Sequence, residues 1–396
     1  MFGARRTTGR IGFDARLIGA LGIGRYISGL LPPLARLLGE RLVVIAQPHD
    51  AAVVRGLLGS RPQLEFLDAP PYRLAGQTRL PLLLARQGLD LVHFPHYDVP
   101  LLAPGPFLAT IHDLFPLEYP EIHSGLLPRT VNQALLRHAI RRARFLVVPS
   151  RATGDAIRRR FKATSGRLLV IGEAADARFT PVRDGAAEAA WQTRLGITPP
   201  YVLYLGQWKA YKNLPVLVAA FEHVRARHPL AQLVVAGDDP RHPEVRRLAA
   251  RLPPGAVVLP GRLPDAAIPD LYRGAGVVVL PSRAEGFGLP VIEAMASGVP
   301  VVCSDLPVLR EIADGVATFC DPDDPRTFAD AILRSLADPS PSLREVGIAR
   351  ARTFSWQRSA EATARAYQLA LDGLIRVPLE EDPGRGEQED LEVQGK

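Results

Sequence analysis

Short apolar segments alternate with amphipathic ones along most of this 396-residue chain. Several of the short segments are continuously apolar, which is typical of parallel strands covered by helices on both faces. In the first half the pattern predicts strands at residues 11–16, 42–47, 91–96, 107–113, 145–150 and 168–174. In the second half it predicts strands at residues 201–207, 231–239, 256–262, 276–282 and 299–305.

Helical periodicity occupies the intervals, most clearly over residues 24–38, 213–227 and 289–297. Such alternation indicates an α/β protein in which right-handed crossovers wind one parallel sheet in each half. The length of the chain also favours two domains.

Regular patterning stops over residues 175–185, so we expect the domains to divide there. This predicts a first domain over residues 1–180 and a second over residues 181–354. A helical stretch over residues 355–377 is expected to pack back toward the first domain. Residues 378–396 are polar and acidic, which predicts a disordered tail.

The composition, 47% hydrophobic and 22% charged, is that of a globular protein. No apolar run approaches the roughly 18 residues that span a bilayer. Asp14 and Arg16 interrupt any apolar segment after the N-terminal arginines, which argues against a signal peptide. We therefore expect a cytoplasmic protein. Cys303 and Cys320 lie in short apolar stretches, which favours buried structural thiols.

The net charge of +7 is unevenly distributed. The first 180 residues hold 24 Lys and Arg against 13 Asp and Glu, whereas the remainder holds 24 against 28. A basic first half indicates an anionic partner there, such as phosphate groups or a lipid surface. The alternative is an arginine-rich composition spread over a solvated surface. No basic motif interleaved with aromatics and no zinc-finger spacing occurs, so we expect no nucleic-acid partner.

Residues 126–145 combine apolar positions at helical spacing with a late arginine cluster. One interpretation is an amphipathic surface that contacts anionic lipid at the inner face of the membrane. The other is a helix whose apolar stripe packs on the sheet while the arginines complement its C-terminus. His93 and His96 stand three apart on a predicted strand and so point to opposite faces, which argues against a shared metal ion.

The segment "PSRAEGFGLPVIEAMASG" (281–298) carries the strongest chemical signal. A glycine-containing loop leaves a predicted strand and enters a helix, and ligands of parallel sheets bind beyond the carboxyl ends of the strands. Gly286 and Gly288 leave backbone N–H groups approachable, and Pro290 suits the first helical turn. The helix dipole adds partial positive charge, so the segment predicts a phosphate site.

Glu285 and Glu293 flank this phosphate site with seven residues between them. Carboxylates accept strong hydrogen bonds from paired hydroxyls. A nucleotide-sugar would explain both acids, since it has hydroxyls on the sugar at one end and on the ribose at the other. Taken alone, each acid is better explained as a solvated surface residue, Glu285 in a loop and Glu293 on a helix.

"EGFGLPVIEAMASGVPVV" resembles the E-x7-E signature of retaining glycosyltransferase family 4, whose members have the GT-B architecture of two Rossmann-like domains facing a central cleft. Other segments are similar to family blocks in the same order. They are "GIGRYISGLL" (22–31), "IHDLFPLEYP" (111–120), "VVPSRATGDAIRRRF" (147–161), "YKNLPVLVAAF" (211–221) and "GRLPDAAIPDLYRGAGVVVLPS" (261–282). Only the tail lacks a counterpart.

The resemblance implies a role for each matching residue of the second domain. Glu285 would contact hydroxyls of the transferred sugar, and Glu293 would hold the nucleotide ribose. The diphosphate would bind the backbone amides of Gly286, Phe287, Gly288 and Leu289. Lys212 would neutralise that diphosphate as it becomes the leaving group.

In the first domain, the resemblance puts His112 beside the sugar and lets the loop at Gly22 and Gly24 close over the phosphates. Arg25 and Asp113 are candidate acceptor contacts, although Arg25 is equally compatible with a phosphate contact or a surface position.

One position departs from the family pattern. Many members carry an arginine where this chain has Gln207. Either Lys209 supplies the missing positive charge, or Tyr211 and Lys212 define a variant phosphate site.

The implied activity is transfer of a hexose from a GDP- or UDP-sugar to a saccharide or lipid-linked acceptor, without metal or cofactor. The first domain would bind the acceptor and the second the nucleotide-sugar. "GIGRY" and "HDLFPLEYP" are most similar to members that build bacterial surface polysaccharides, which favours mannose from GDP-mannose. A nucleotide-sugar epimerase on the same fold and a catalytically silent scaffold are the alternatives. The presence of Glu285 and Lys212 argues against the scaffold.

Overall fold

The structure is a computed structural model that describes residues 9–119, 128–164, 166–182, 192–239, 242–337 and 341–376. The chain forms two compact units. Unit 1 combines the residues up to Glu173 with those from Trp356 onward, and unit 2 is Ala174–Ser355. The division thus falls after Glu173 rather than after residue 180. The acidic tail predicted over residues 378–396 lies outside the described residues.

Unit 1 is built on a seven-stranded parallel sheet with the strand order β3-β2-β1-β4-β5-β6-β7. Its strands are β1 Ile11–Asp14, β2 Leu42–Ala46, β3 Gln63–Phe66, β4 Leu91–Phe94, β5 Phe107–Thr110, β6 Phe145–Val148 and β7 Leu168–Val170. Its helices are α1 Gly22–Leu38, α2 Ala51–Leu58, α3 Leu74–Arg86, α4 Phe115–Glu118, α5 Arg129–Arg142 and α6 Arg151–Arg160, and α14 Trp356–Leu371 at the end of the chain. Short 3-10 turns cover Gly39–Arg41, Pro48–Asp50 and Lys162–Thr164.

Unit 2 contains a six-stranded parallel sheet with the order β10-β9-β8-β11-β12-β13. Its strands are β8 Tyr201–Leu205, β9 Leu233–Ala236, β10 Val257–Gly261, β11 Ala275–Leu280, β12 Val301–Ser304 and β13 Thr318–Cys320. Its helices are α7 Leu214–Arg227, α8 Glu244–Ala249, α9 Ile268–Gly274, α10 Leu289–Ala296, α11 Pro307–Ala313, α12 Pro325–Ala337 and α13 Pro341–Arg352, with 3-10 turns at Ala210–Lys212 and Asp265–Ala267.

Both sheets are doubly wound in the Rossmann manner, which confirms the predicted α/β class with one parallel sheet in each unit. The central strands are continuously apolar and buried, as their sequences indicate. The pattern missed β3 and β13, which lie at the outer edges of the two sheets. Both are only partly buried: β3 mixes polar and apolar residues, and the apolar stretch around Cys320 is too short to indicate a strand by itself.

Helix α14 is tied to the sheet of unit 1 through a buried histidine. The Nδ1 of His93 lies 2.6 Å from the Tyr367 hydroxyl of α14, and its Nε2 lies 2.8 Å from Oγ1 of Thr110. Burial, with a smaller contribution from the charge of His112, lowers the pKa of His93 to about 3. His93 is therefore a neutral structural residue, and α14 packs against α1 so closely that Gly29 leaves no room for a Cβ beside the Trp356 indole.

Candidate functional site

The candidate site of unit 2 lies where its strand order reverses. From β8 the chain moves to β9 on one side and later returns to β11 on the other, so the loops that follow β8 and β11 are neighbours. Crevices at such switch points are the usual ligand sites of open parallel sheets. The two loops are joined directly, because the Arg283 N–H donates to the Tyr211 carbonyl at 2.8 Å.

Lys212 and Glu285 meet across these two loops. The Lys212 Nζ lies 2.7 Å from Oε1 and 2.9 Å from Oε2 of Glu285. The lysine side chain is 15% exposed and the glutamate 8%, so the ion pair is largely withdrawn from water yet reachable. Charges in such a setting are screened less than on an open surface. The structure thus brings together two residues that the sequence assigned to one ligand.

Helix α10 begins beside Glu285. Its N-cap residue, Gly288, has φ 113°, a conformation that favours glycine, and an added Cβ would lie 2.8 Å from Leu309. A glycine cap offers no side chain to the amides of the first turn, which begins at Leu289, so they suit an anion. Phe287 is buried edge-on against Phe354 and anchors the loop, and Gly286 before it is half-buried.

Glu293 lies on α10 and is 2% exposed. One carboxylate oxygen accepts a hydrogen bond from the Tyr272 hydroxyl of α9 at 2.7 Å, which fixes its orientation. Tyr272 itself packs edge-on against Phe179. The sequence did not single out Tyr272, because a tyrosine in the apolar pattern of "IPDLYRG" looks like any core residue.

The two lysines that follow β8 both lie over the aromatic ring of Tyr211. The ammonium groups of Lys209 and Lys212 lie 5.9 Å and 5.2 Å from the centre of the Tyr211 ring. Gln207 accepts a hydrogen bond from the Tyr204 hydroxyl through its main-chain oxygen at 2.7 Å. Lys209 and Lys212 thus lie over the same tyrosine ring, an arrangement compatible with either interpretation of the departure at Gln207.

In unit 1, β5 ends at Thr110, earlier than the strand predicted over residues 107–113, and His112 lies two residues beyond it. Its Nδ1 is 3.1 Å from Oε1 of Glu173, and its Nε2 is 2.9 Å from the Pro95 carbonyl oxygen. The Tyr26 ring packs against it at 4.8 Å. Glu173 was not among the sequence candidates, although an acid just after the strand "LLVIG" was the available signal.

Gly22 and Gly24 differ in their surroundings. Gly22 opens α1, is exposed, and an added Cβ would meet nothing within 4 Å. At Gly24 an added Cβ would lie 2.3 Å from the Ile18 carbonyl oxygen, so this glycine permits the loop to fold closely onto α1. Arg25 is in the first turn of α1, where its N–H donates to the Leu21 carbonyl. Asp113 accepts a hydrogen bond from the Phe115 N–H at 2.9 Å at the start of α4.

We expect Gly24→Ala to destabilise the protein by about 1–3 kcal/mol, because the new methyl group forces the loop away from α1. Gly22→Ala is the matched control, since the same methyl group has free space there. Thermal unfolding of the two variants measures the difference. Equal melting temperatures would contradict the packing role of Gly24. A Gly22→Ala variant of normal stability and reduced donor affinity would indicate that the loop contacts ligand.

Helix α5 resolves the two interpretations of residues 126–145. Its apolar stripe, Leu135, Leu136, Ala139 and Ile140, is buried in the core of unit 1, so the stripe packs on the sheet and is not available to lipid. Arg141 and Arg142 stay exposed in its last turn. Nowhere in the described part of the chain is a helix both long and apolar enough to cross a bilayer.

Cys303 and Cys320 are free and buried, which confirms the prediction of structural thiols. Burial raises the pKa of Cys303, and it raises the pKa of Cys320 to about 11. Over the described ranges no three His, Cys, Asp or Glu side chains are grouped as metal ligands would be.

Comparison with known proteins decides the family. Residues 21–179 match the family described as Glycosyltransferase Family 4, and residues 199–338 match Glycosyl transferases group 1. O-antigen chain mannosyltransferase B of Escherichia coli is 30% identical over 380 residues, which cover 88% of this chain and 96% of that protein. The chain belongs to glycosyltransferase family 4.

Other relatives of this glycosyltransferase include a glycogen synthase of Mycobacterium tuberculosis, 31% identical over 305 residues that cover 74% of the chain and 68% of the relative. Among solved structures, sucrose-phosphate synthase of Thermosynechococcus elongatus aligns with a TM-score of 0.73 and 23% identity, over 92% of this chain and 100% of that one. Anabaena HepE in complex with UDP-glucose aligns with a TM-score of 0.73 and 18% identity, over 91% and 99%. These structural likenesses show the GT-B fold of the glycosyltransferase.

Proposed function

We propose that this glycosyltransferase moves a hexose from a nucleotide-diphosphate sugar to a saccharide or lipid-linked acceptor, with retention of configuration at the anomeric carbon. The observation that carries the proposal is the Lys212–Glu285 pair beside the glycine-capped start of α10. The site combines one cation, one carboxylate and a helix N-terminus at the switch point of the sheet. These groups match a ligand that joins a diphosphate to a polyhydroxylated ring.

In this proposal the diphosphate binds the amides of the Gly286–Leu289 loop and Lys212. Glu285 accepts hydrogen bonds from the transferred sugar, and His112 contacts that sugar as well. Glu293, oriented by Tyr272, accepts hydrogen bonds from the ribose. Negative charge grows on the diphosphate as it leaves, so a fixed lysine stabilises the transition state more than the bound substrate. The proposal needs no metal or cofactor, because the chain supplies the positive charge.

We favour GDP-mannose as the donor and a cell-surface polysaccharide as the product. A relative that aligns over nearly its whole length is named an O-antigen chain mannosyltransferase, which supports this choice. The exposed arginines at the end of α5 suit peripheral contact with the anionic inner face of a membrane through charge alone. Arg25 and Asp113 stand as proposed acceptor contacts.

Calorimetric titration with GDP-mannose, UDP-glucose and ADP-glucose tests the donor. We expect GDP-mannose to bind most tightly and, once an acceptor is added, NMR of the product to show the anomeric configuration of the donor. Failure of all three sugars to bind would support a catalytically silent homologue. Isomerisation of the sugar without any acceptor would identify an epimerase instead.

A further inference from the structure

His112 has hydrogen-bond acceptors at both nitrogens of its ring. On one side is the carboxylate of Glu173, 3.1 Å from Nδ1, and on the other is the carbonyl oxygen of Pro95, 2.9 Å from Nε2. Glu173 is only 4% exposed, so its charge is held close to the ring with little competition from water. A pair in this setting is stronger than one on the surface.

The two contacts determine the protonation state of the imidazole. A carboxylate and a carbonyl accept hydrogen bonds and donate none, so both ring nitrogens must donate. A neutral imidazole has a single N–H and satisfies only one of these contacts. The imidazolium has two N–H groups and satisfies both. The geometry therefore selects the cation.

The other groups around His112 are compatible with a positive charge on its ring. The Tyr26 ring of α1 lies nearly perpendicular to the His112 ring, with 4.8 Å between the ring centres. The His96 ring, which is hydrogen-bonded to the Tyr72 hydroxyl, stacks on His112 with 6.4 Å between the centres. His93 of β4 is neutral, so it does not repel a cation at 112. The neighbouring carboxylate of Asp113 adds a favourable charge but accepts its hydrogen bond from Phe115.

These effects combine in the pKa of His112. Burial alone lowers this pKa, but the hydrogen bond and charge of Glu173, with smaller contributions from the Pro95 carbonyl and Asp113, outweigh it and raise the pKa above the ordinary value. The cation thus persists to a higher pH than a free histidine allows, and it is lost as the pH rises through the raised pKa.

We propose that Glu173 is a positioning residue that holds His112 as an imidazolium at neutral pH, so that His112 offers the substrate a fixed positive charge and cannot act as a general base. This rests on the proposed function, in which His112 contacts the transferred sugar. The role assigned to His112 becomes electrostatic: it favours the anionic donor. The proton of the acceptor hydroxyl then goes to an oxygen of the leaving diphosphate rather than to this ring.

Nitrogen-15 NMR of the histidine rings in the full-length protein tests the protonation state directly. His112→Gln identifies the His112 signals by their disappearance. We expect the wild-type ring to show imidazolium shifts at pH 7 and the ring of Glu173→Gln to show neutral shifts. This variant keeps the shape and one acceptor oxygen, removes the charge, and replaces the second carboxylate oxygen with an N–H donor. A neutral His112 in the wild-type protein, or an unchanged His112 in Glu173→Gln, would overturn the proposal.

The pH profile of kcat/KM supplies a readout that a purely structural role would not move. We expect Glu173→Gln to shift the alkaline limb to lower pH and to lose about tenfold in kcat/KM above neutral pH, the effect of one weakened charged hydrogen bond. Glu40→Gln, the same change at an exposed carboxylate of unit 1, should leave the profile unchanged. A profile of unaltered shape in Glu173→Gln would count against the proposal.

The two proposals fail separately. If no nucleotide-sugar binds, the proposed function fails, while the NMR spectra still decide whether Glu173 holds His112 as a cation. If sugar transfer proceeds and His112 is neutral at pH 7, only the role of Glu173 is lost. A Glu173→Gln protein that does not fold leaves the wild-type spectrum as the deciding measurement.

Discussion

Lys212→Ala is expected to lower kcat for sugar transfer by about 10²–10³-fold, the usual cost of removing one group that stabilises a developing negative charge. The ammonium group is the cation that the structure holds against Glu285 beside the start of α10. Steady-state kinetics with saturating donor measures the change. Because the interaction strengthens as the diphosphate leaves, the loss should fall on kcat more than on KM.

Lys209→Ala is the matched control for this prediction. Both lysines follow β8 and lie over the Tyr211 ring, but Lys212 is the one with a hydrogen-bonded contact to Glu285. A small effect at Lys209 and a large one at Lys212 would favour the variant phosphate site. Comparable losses at both would mean that Lys209 replaces the arginine absent at Gln207. A Lys212→Ala enzyme with a normal kcat would refute the leaving-group role.

Removing Lys212 also leaves the Glu285 carboxylate largely buried without its cation, which costs stability as well as activity. The double variant Lys212→Gln with Glu285→Gln separates the two effects, since it removes both charges together. We expect the double variant to unfold at a higher temperature than Lys212→Ala while remaining as inactive. Such a result would show that the two residues are coupled in stability.

The sequence predicts the parallel sheets because their central strands are buried on both faces and read as unbroken apolar runs. The same physics explains the misses, since the edge strands Gln63–Phe66 and Thr318–Cys320 are half-exposed and mixed in polarity. The loop at Gly288 was predictable for a related reason. The backbone at position 288 has a positive φ and lies close to Leu309, so this position accepts little besides glycine. The glycine in the sequence therefore marks the turn.

Pairings between distant residues were harder to foresee. Lys212 and Glu285 stand 73 residues apart, and they meet only because β8 and β11 become neighbours where the strand order reverses. Glu173 meets His112 across 61 residues, because the loops that follow β7 and β5 emerge at the same edge of the parallel sheet of unit 1. The local sequence pattern predicts where strands and helices lie but not the order of the strands in a sheet. It therefore identifies candidate site residues at the ends of strands, but not which of these residues meet.

Glu293→Ala is expected to weaken donor binding by about 10–100-fold, the range for losing a charge-assisted hydrogen bond to a ligand. The carboxylate is buried on α10 and held by the Tyr272 hydroxyl, so it is preorganised rather than free to search for a partner. Titration calorimetry with the tightest-binding nucleotide-sugar measures the change.

Two further variants make the origin of that loss clear. Glu293→Gln keeps the shape and an oxygen for Tyr272, so the affinity it loses reports the charge and the one acceptor oxygen that becomes an amide nitrogen. Tyr272→Phe keeps the carboxylate and removes the hydroxyl that orients it, and it should lose less affinity than Glu293→Ala. Because Glu293 is buried, thermal unfolding must show each variant folded. If folded Glu293→Ala binds the donor as tightly as the wild-type protein does, the ribose does not lie at α10, and the assignment of both acids to one nucleotide-sugar is wrong.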